Sequence, residues 1–423
     1  MRQTLFTIDH YLIANHWILI FWLVAGLAYC GFHWMRGAKS EVLQFLPVYA
    51  IGALVIFMVL PKLETLHVNP EDPDGQMVPH GLAIRGYGVF LTMAMIVGVS
   101  LVLIRAKSIG VDTEKTLSMI FWMIVSGLVG ARLFYVIQKF ETFQGLSTSQ
   151  FLFKLVDMAS GGLVVYGSLI GGLVAASTFM YLHKMPWRKV ADILAPGMLI
   201  GLAIGRLGCL MNGCCFGGVC EPEFPGVYFP AGSPPYMQQL STGELIGIQG
   251  KFDKDSYEID VEEIEPQSLA DQNGVKSGDR LSVYLTHQQR DDRSIRLAAA
   301  KNGIKNEVVG VIESNAKSPS FISVDRLPDY SLKTHPTQIY SAINAGFLSA
   351  FLWFYFPFRR SDGEVFSLLL LIYPVARFIL EMIRQDEAGQ FGTSFTISQW
   401  VSFGTFGLGV MMFCYVRMQK TLR

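Results

Sequence analysis

Two arginines set into apolar runs mark where this sequence can do chemistry. Residues 201–217, GLAIGRLGCLMNGCCFG, hold Arg206 in an otherwise uncharged, glycine-spaced stretch that ends in Asn212 and the adjacent Cys214 and Cys215. A guanidinium left in hydrocarbon costs about 3 kcal/mol or more, so it needs a specific partner. A second stretch answers the first. Within Leu368–Arg384, the run YPVARFILEMIRQ places Arg377 and Glu381 at i,i+4, on a helix face shared with Tyr373 and Arg384. Two buried arginines on separate helices invite an anionic group.

The elements that must position these residues are membrane helices. Hydrophobic residues make up 51% of the chain and charged residues only 16%, and several apolar runs exceed the length that crosses a bilayer. The sequence predicts a polytopic, all-α membrane protein of about nine spans, at roughly 13–34, 42–61, 82–104, 116–138, 161–182, 190–210, 338–358, 364–384 and 396–416. Short connections carrying Arg36 and Lys39, Arg105, Lys107 and Lys115, Lys184, Arg188 and Lys189, Arg359 and Arg360, and Arg417, Lys420 and Arg423 all fall on one side. The positive-inside rule makes that side cytoplasmic, which puts the N-terminus, the loop around Gln144, the long segment after Gly217 and the Asp386–Glu387 turn outside. The zero net charge excludes nothing. No basic stripe suggests nucleic acid.

The first apolar run lacks a basic n-region beyond Arg2 and a small-residue cleavage pattern, so it reads as a retained anchor. With the second run it forms an extra hairpin, residues 1–79, ahead of a seven-span core divided into residues 80–239 and 329–423. Residues 240–328 differ: they are polar, strand-like and rich in Asp, Lys and Ser, as a separate small α+β domain outside the membrane would be. There VEEIEPQSLADQNGVKSGDRLSVY reads as strand, turn, short helix, Gly-led turn and strand, an order that resembles the middle of a PDZ domain. The resemblance implies a peptide ligand held along a sheet edge. A β-rich insertion that only spaces or shields the site is the alternative.

Cys209, Cys214, Cys215 and Cys220 are not expected to hold a metal. An adjacent Cys-Cys pair cannot easily supply two tetrahedral ligands, and neither a paired C-x-x-C nor a close histidine helps. Outside the cytoplasm a disulfide from Cys220 to Cys214 or Cys215 is allowed, as is simple burial. Cys30 and Cys414 read as packing residues in spans. Intramembrane proteolysis is a rival reading, but there is no H-E-x-x-H. Tyr166 and His183 would stand roughly 25 Å apart near opposite ends of one helix, which rules out a Ser168–His183 dyad, so Ser168 reads as a packing residue among glycines. Transport, the other rival, would predict internal repeats, and none is evident. No phosphate-binding loop or G-x-G-x-x-G turn implies a soluble cofactor.

Six stretches in order resemble the prolipoprotein diacylglyceryl transferase family, inner-membrane enzymes that lipidate bacterial lipoprotein precursors. They are IRGYGVF at 84–90, GARLFYV at 130–136, GGLVVYGSLIGG at 161–172, GRLGCLMNGCCFG at 205–217, HPTQIY at 335–340 and YPVARFILEMIRQ at 373–385. The resemblance implies transfer of a diacylglyceryl group from phosphatidylglycerol to the lipobox cysteine thiol of a prolipoprotein, which enters by its signal peptide, giving a thioether and glycerol phosphate. It further implies that Arg206 grips the lipid phosphate and that Arg377, oriented by Glu381, stabilises the leaving group. Asn212, Tyr87 and Tyr373 would bind the headgroup, Gly217 would let backbone approach closely, and His335 would sit where the external loop re-enters the membrane.

The chain departs from the family pattern at informative positions. Tyr166 stands where many members have a histidine proposed as the base, and an ordinary tyrosine, with a pKa near 10, stays protonated at neutral pH and is a poor base for a thiol with a pKa near 8.5. Tyr166 is therefore expected to position a group. Cys209 and Cys214 replace an amide and a carboxylate, and Ser341 replaces an acidic residue found in some relatives. A catalytically altered relative acting as a lipid- or peptide-binding scaffold is the alternative that these departures leave open.

Overall fold

A computed structural model describes residues 4–9, 11, 13, 16–35, 65–68, 77–145, 147–156, 162–221, 223–253, 258–285, 308–313, 320–323, 326–384, 389–390 and 392–418, with positions 49, 53, 56 and 57. In chain order the helices are α1 (Trp17–Met35), α2 (Gly86–Ser108), α3 (Thr113–Gln138), α4 (Thr148–Val156), α5 (Val165–Leu182), α6 (Trp187–Asn212), α7 (Pro234–Ser241), α8 (Leu269–Gln272), α9 (Thr337–Tyr355), α10 (Glu364–Glu381) and α11 (Ile397–Arg417). The strands are β1 (Thr4–Asp9), β2 (Thr65–Val68), β3 (Met77–Arg85), β4 (Ile248–Asp253), β5 (Glu258–Ile264), β6 (Arg280–Leu285), β7 (Val308–Glu313) and β8 (Ser320–Ser323).

Among the described residues six helices are long and apolar enough to cross a membrane: α2, α3, α5, α6, α9 with its 3-10 extension to Phe358, and α11. Their outward side chains are apolar, and Ile137, Phe347 and Phe354 are each more than 70% exposed, a pattern that suits lipid and not water. The protein is a mostly helical, multi-pass membrane protein. The expected first span contains α1, whose apolar stretch Trp17–His33 is shorter, and the expected second span at 42–61 lies outside the described residues except for isolated positions. The eighth expected span is α10, which carries Glu364, Arg377 and Glu381 and so stands apart from the six.

The third span begins later than its hydropathy indicated. Residues 77–85 are strand β3, paired antiparallel with β1 and with β2 in a three-stranded sheet of order β1-β3-β2, and helix starts only at Gly86. A short apolar stretch such as Gly81–Ile84 does not by itself distinguish strand from helix, and here distant pairing with Phe6–Asp9 decides.

The chain divides into two compact units. One comprises residues 2–201, 349–367 and 413–423. In it α3 and α5 pack through small residues: a Cβ on Gly130 would come within 2.4 Å of the Gly167 carbonyl oxygen. Ser126 donates to the Gly171 carbonyl oxygen at 3.0 Å, and the Ser168 hydroxyl is spent on the Val165 carbonyl at 2.7 Å. Ser168 is thus a packing residue, as its glycine neighbours suggested. Also in this unit, Asp192 of α6 accepts hydrogen bonds from the backbone N–H of Gly363 (2.7 Å) and Phe366 (2.8 Å) and faces Arg359 at 3.6 Å. Arg105 lies 3.7 Å over the Trp353 ring and donates to the Trp353 carbonyl, while Arg417 reaches Glu364 at 3.4 Å. The basic ends of α2 and α11 therefore gather with the Arg359 turn.

The other unit comprises residues 202–348 and 368–412 with Met1. It contains a five-stranded antiparallel meander of order β4-β5-β6-β7-β8. The stretch from Val261 to Tyr284 is β5, a turn, α8 capped by the Ser268 hydroxyl on Asp271 N–H, a turn through Gly274 and Gly278, and β6. Its apolar core gathers Leu245, Ile246, Ile248, Ile259, Val261, Ala270, Leu281 and Leu327. That core also takes in Tyr236 and Leu240 of α7, with Leu332 packed against it, so the folded body extends past residues 240–328 at both ends. Helix α7 thus covers part of this core.

Candidate active site

Helix α6 runs to Asn212 and then reverses sharply, because Gly213 adopts φ +75°. The segment that follows is clamped from two sides. Gly217 N–H donates to the His335 carbonyl (3.0 Å), His335 N–H donates back to Gly218 (2.9 Å), and Gly218 N–H donates to the Ile383 carbonyl at the end of α10 (3.2 Å). Thr337 Oγ1 donates to the Cys215 carbonyl at 2.6 Å and Gln338 Nε2 to the Cys214 carbonyl at 2.7 Å. These bonds bring the end of α6, the start of α9 and the end of α10 to one place. Only glycine fits at 217, where a Cβ would lie 2.7 Å from that of His335. The backbone at Gly217 thus lies close against His335 and Thr337.

On α10 the Glu381 side chain is fully buried. Its Oε2 lies 2.8 Å from Nη1 of Arg377 and 3.3 Å from Nη1 of Arg384, and its Oε1 accepts from Thr396 Oγ1 at 3.2 Å. No N–H of Arg377 Nη1 is aimed along that 2.8 Å approach, so charge more than a directed bond holds the pair. Arg377 spends Nη2 on Ser398 Oγ at 3.0 Å. One carboxylate thus serves two guanidinia, which leaves the group with a net positive charge. Tyr373 sits one turn before Arg377, partly buried.

Arg206, on α6, is half-buried and has no hydrogen bond or ion pair to any described residue. Its charge, like that of Arg384, acts on Cys215, and Asn212 hydrogen-bonds the Cys214 thiol. Three buried polar atoms stand nearby along the start of α9 without a partner among the described residues: Nδ1 of His335, Oε1 of Gln338 and Oη of Tyr340. The His335 ring packs edge-on to Phe224 with centroids 4.9 Å apart. Ordered water or a polar ligand can satisfy such atoms. The cluster offers an uncommitted guanidinium, a partly neutralised arginine pair and unfilled hydrogen-bonding groups, as an anionic, hydroxylated ligand requires.

Arg206, Asn212, Gly217, His335, Tyr373, Arg377 and Glu381 all belong to this unit. Tyr87, on the first turn of α2 and 40% exposed, and Tyr166, on the first turn of α5, belong to the other. The family model for prolipoprotein diacylglyceryl transferase matches residues 76–415. A protein of Rhodopirellula baltica with the name phosphatidylglycerol–prolipoprotein diacylglyceryl transferase is 35% identical, over 95% of this chain and 86% of its own length. The chain belongs to the prolipoprotein diacylglyceryl transferase family. Proteins of the same name from Clostridium tetani (25% identical over 80% of this chain and 96% of its own length) and Deinococcus radiodurans (33% identical over 43% of this chain and 53% of its own length) are also similar.

The R. baltica match covers more of this chain than the family stretch does, so it takes in residues ahead of position 76. Within the transferase fold, sequence reasoning did not assign roles to Arg384, Gln338, Thr396 or Ser398. The signal for Arg384 was available, since it shares the helix face of Arg377 and Glu381, whereas Thr396 and Ser398 reach the pair from α11, which only tertiary structure reveals. Arg132 was also passed over. It is buried and donates to the carbonyls of Leu155 (2.9 Å), Gly162 (3.0 Å) and Lys154 (2.5 Å), which fixes the chain entering α5 just ahead of Tyr166.

Proposed function

We propose that this protein transfers the diacylglyceryl group of phosphatidylglycerol to the lipobox cysteine of a prolipoprotein. The sulfur forms a bond to the glyceryl carbon, the bond from that carbon to the phosphate oxygen breaks, the thiol proton is lost, and glycerol phosphate leaves. The observation that carries this reading is Arg206: a half-buried guanidinium with no ion-pair partner among the described residues. A lipid phosphate is the partner it lacks.

Arg377, oriented by Glu381 and Ser398, stabilises charge that gathers on the departing phosphate, and Arg384 beside it adds to the same field. Asn212 and Tyr373 hydrogen-bond the headgroup from the arginine side, and Gly217 seats His335 next to it. Tyr87 and Tyr166 act by positioning lipid or peptide.

Both substrates enter from the bilayer, the lipid laterally and the precursor by its signal helix. We place the protein in the bacterial inner membrane, with the cytoplasmic side at the basic cluster of Arg105, Arg359 and Arg417 and the insertion opposite. The gathering of these residues in one unit supports that side assignment. In the insertion β4 and β8 are the edge strands. A peptide adding to one of those edges is the partner that the PDZ resemblance suggests.

The test uses purified protein in detergent, phosphatidylglycerol and a lipobox peptide, with mass spectrometry of the peptide for wild type and Arg206→Ala. A diacylglyceryl mass gain with wild type that disappears in the variant is expected. No gain with wild type, where an active family member produces one, would leave a lipid-binding scaffold in its place.

A further inference from the structure

We propose that Cys209, Cys214 and Cys215 form a three-thiolate site for one soft monovalent cation, Cu(I), and that filling it disables the neighbouring arginines. The sequence argued against a metal because two adjacent cysteines rarely turn to one centre. The backbone answers that objection. Cys215 adopts φ +58°, in the left-handed region that a non-glycine residue enters only when its surroundings hold it there. With Gly213 at φ +75°, the chain doubles back so that both sulfurs meet that of Cys209 in the last turn of α6.

All three sulfurs lie within 4.8 Å of one another, and the Cys214 thiol donates to the Cys209 carbonyl at 3.7 Å. Their backbone is fixed in advance: Cys214 N–H donates to the Cys209 carbonyl at 3.1 Å, and the carbonyls of Cys214 and Cys215 are held by Gln338 and Thr337. A site whose ligands converge before the ion arrives needs little reorganisation to bind it.

The donor set selects the ion. Thiolates favour soft cations. Structural zinc takes four protein ligands, and among the described residues no histidine or carboxylate joins the three sulfurs. Three sulfurs complete the trigonal shell of Cu(I). Each thiol releases its proton as it ligates, so one Cu(I) and three thiols give a centre of net charge −2 and three protons. Arg206 and Arg384 already act electrostatically on Cys215. A dianionic centre would occupy the field that otherwise draws a lipid phosphate. This inhibitory effect rests on the transferase reading; binding of the ion does not.

The full-length protein, reduced and kept free of oxygen, is titrated with Cu(I) against a chromophoric Cu(I) chelator, and copper–sulfur coordination is read by X-ray absorption. Cys214→Ser and the triple variant Cys209→Ser/Cys214→Ser/Cys215→Ser are compared, each checked for thermal unfolding. One copper per chain bound by three sulfurs, weakened about a hundredfold in the single variant and lost in the triple, is expected. Copper stripped by the chelator from wild type, or retained equally by the triple variant, overturns the site, as does tighter binding of Zn(II) with a nitrogen or oxygen ligand. In the peptide assay, transfer by wild type should fall with copper occupancy, and any copper effect that persists in Cys214→Ser would point to the peptide thiol and overturn the inhibitory role. Absence of transfer without copper would instead fault the transferase reading and leave the binding result to decide the site.

Discussion

Glu381 places a single carboxylate oxygen 2.8 Å from Nη1 of Arg377, and the same oxygen takes Nη1 of Arg384 at 3.3 Å. Glu381→Gln keeps the shape and removes the only negative charge of this trio. Breaking a buried pair from one side costs about 3–5 kcal/mol, because the remaining charge stays desolvated. We expect a lower thermal midpoint and a loss of transfer of about a hundredfold or more, since Arg377 would no longer be aimed. Transfer within tenfold of wild type would reduce the trio to a helix-packing device.

Gly130 tests the α3–α5 contact. An alanine Cβ there would sit 2.4 Å from the Gly167 carbonyl oxygen and 3.2 Å from the Gly171 Cα, all backbone atoms that cannot swing aside. Gly130→Ala should destabilise by about 1–3 kcal/mol. Gly88→Ala, also inside a helix but with nothing within 4 Å of the added carbon, should be neutral or stabilising by up to about 1 kcal/mol. Thermal unfolding of the two variants in one detergent makes the comparison, and equal effects would contradict close helix packing.

Helix periodicity made the arginine site legible. The i,i+4 spacing of Arg377 and Glu381 is local, as is the isolation of Arg206 in an apolar run, and both survive folding unchanged. Groups that complete the site from elsewhere in the chain were not legible: Thr396 and Ser398 come from α11, and Thr337 and Gln338 clamp a loop more than a hundred residues earlier. Cys215 shows a different failure. Its left-handed backbone lies within that clamped turn, and no residue-type rule assigns it to a cysteine. The sheet β1-β3-β2 was missed because its pairing joins Thr4–Asp9 to residues beyond position 80, and the apolar residues of β3 merge with those of α2 in any hydropathy window.

Glu244 makes the insertion sensitive to pH. Burial beside Leu245 and Ile246 raises its carboxyl above the usual carboxylate range. Folded protein therefore holds this proton more tightly than unfolded chain does. The stabilisation is greatest at acid pH and is lost as pH rises from the unfolded value near 4.3 through the raised folded value. Glu244→Gln should remove that slope and slow hydrogen exchange of the β4 and β5 amides at neutral pH. An unchanged exchange profile between acid and neutral pH in wild type would show that the carboxylate is solvated.

Asp192 is the strongest test of how α10 begins. Its two carboxylate oxygens take the N–H groups of Gly363 and Phe366, which the first turn of α10 leaves without helical partners, and Arg359 stands 3.6 Å away. Asp192→Asn retains one acceptor oxygen, whereas Asp192→Ala retains none and leaves two buried donors and a guanidinium uncompensated. Each unsatisfied buried donor costs about 1–3 kcal/mol. The alanine variant should therefore lose clearly more thermal stability than the asparagine variant, and amides at the start of α10 should exchange faster in both. If the two variants unfold together with wild type, the carboxylate does not cap this helix. If asparagine is as damaging as alanine, attraction of the charge to Arg359 and to the positive end of α10 outweighs the hydrogen bonds.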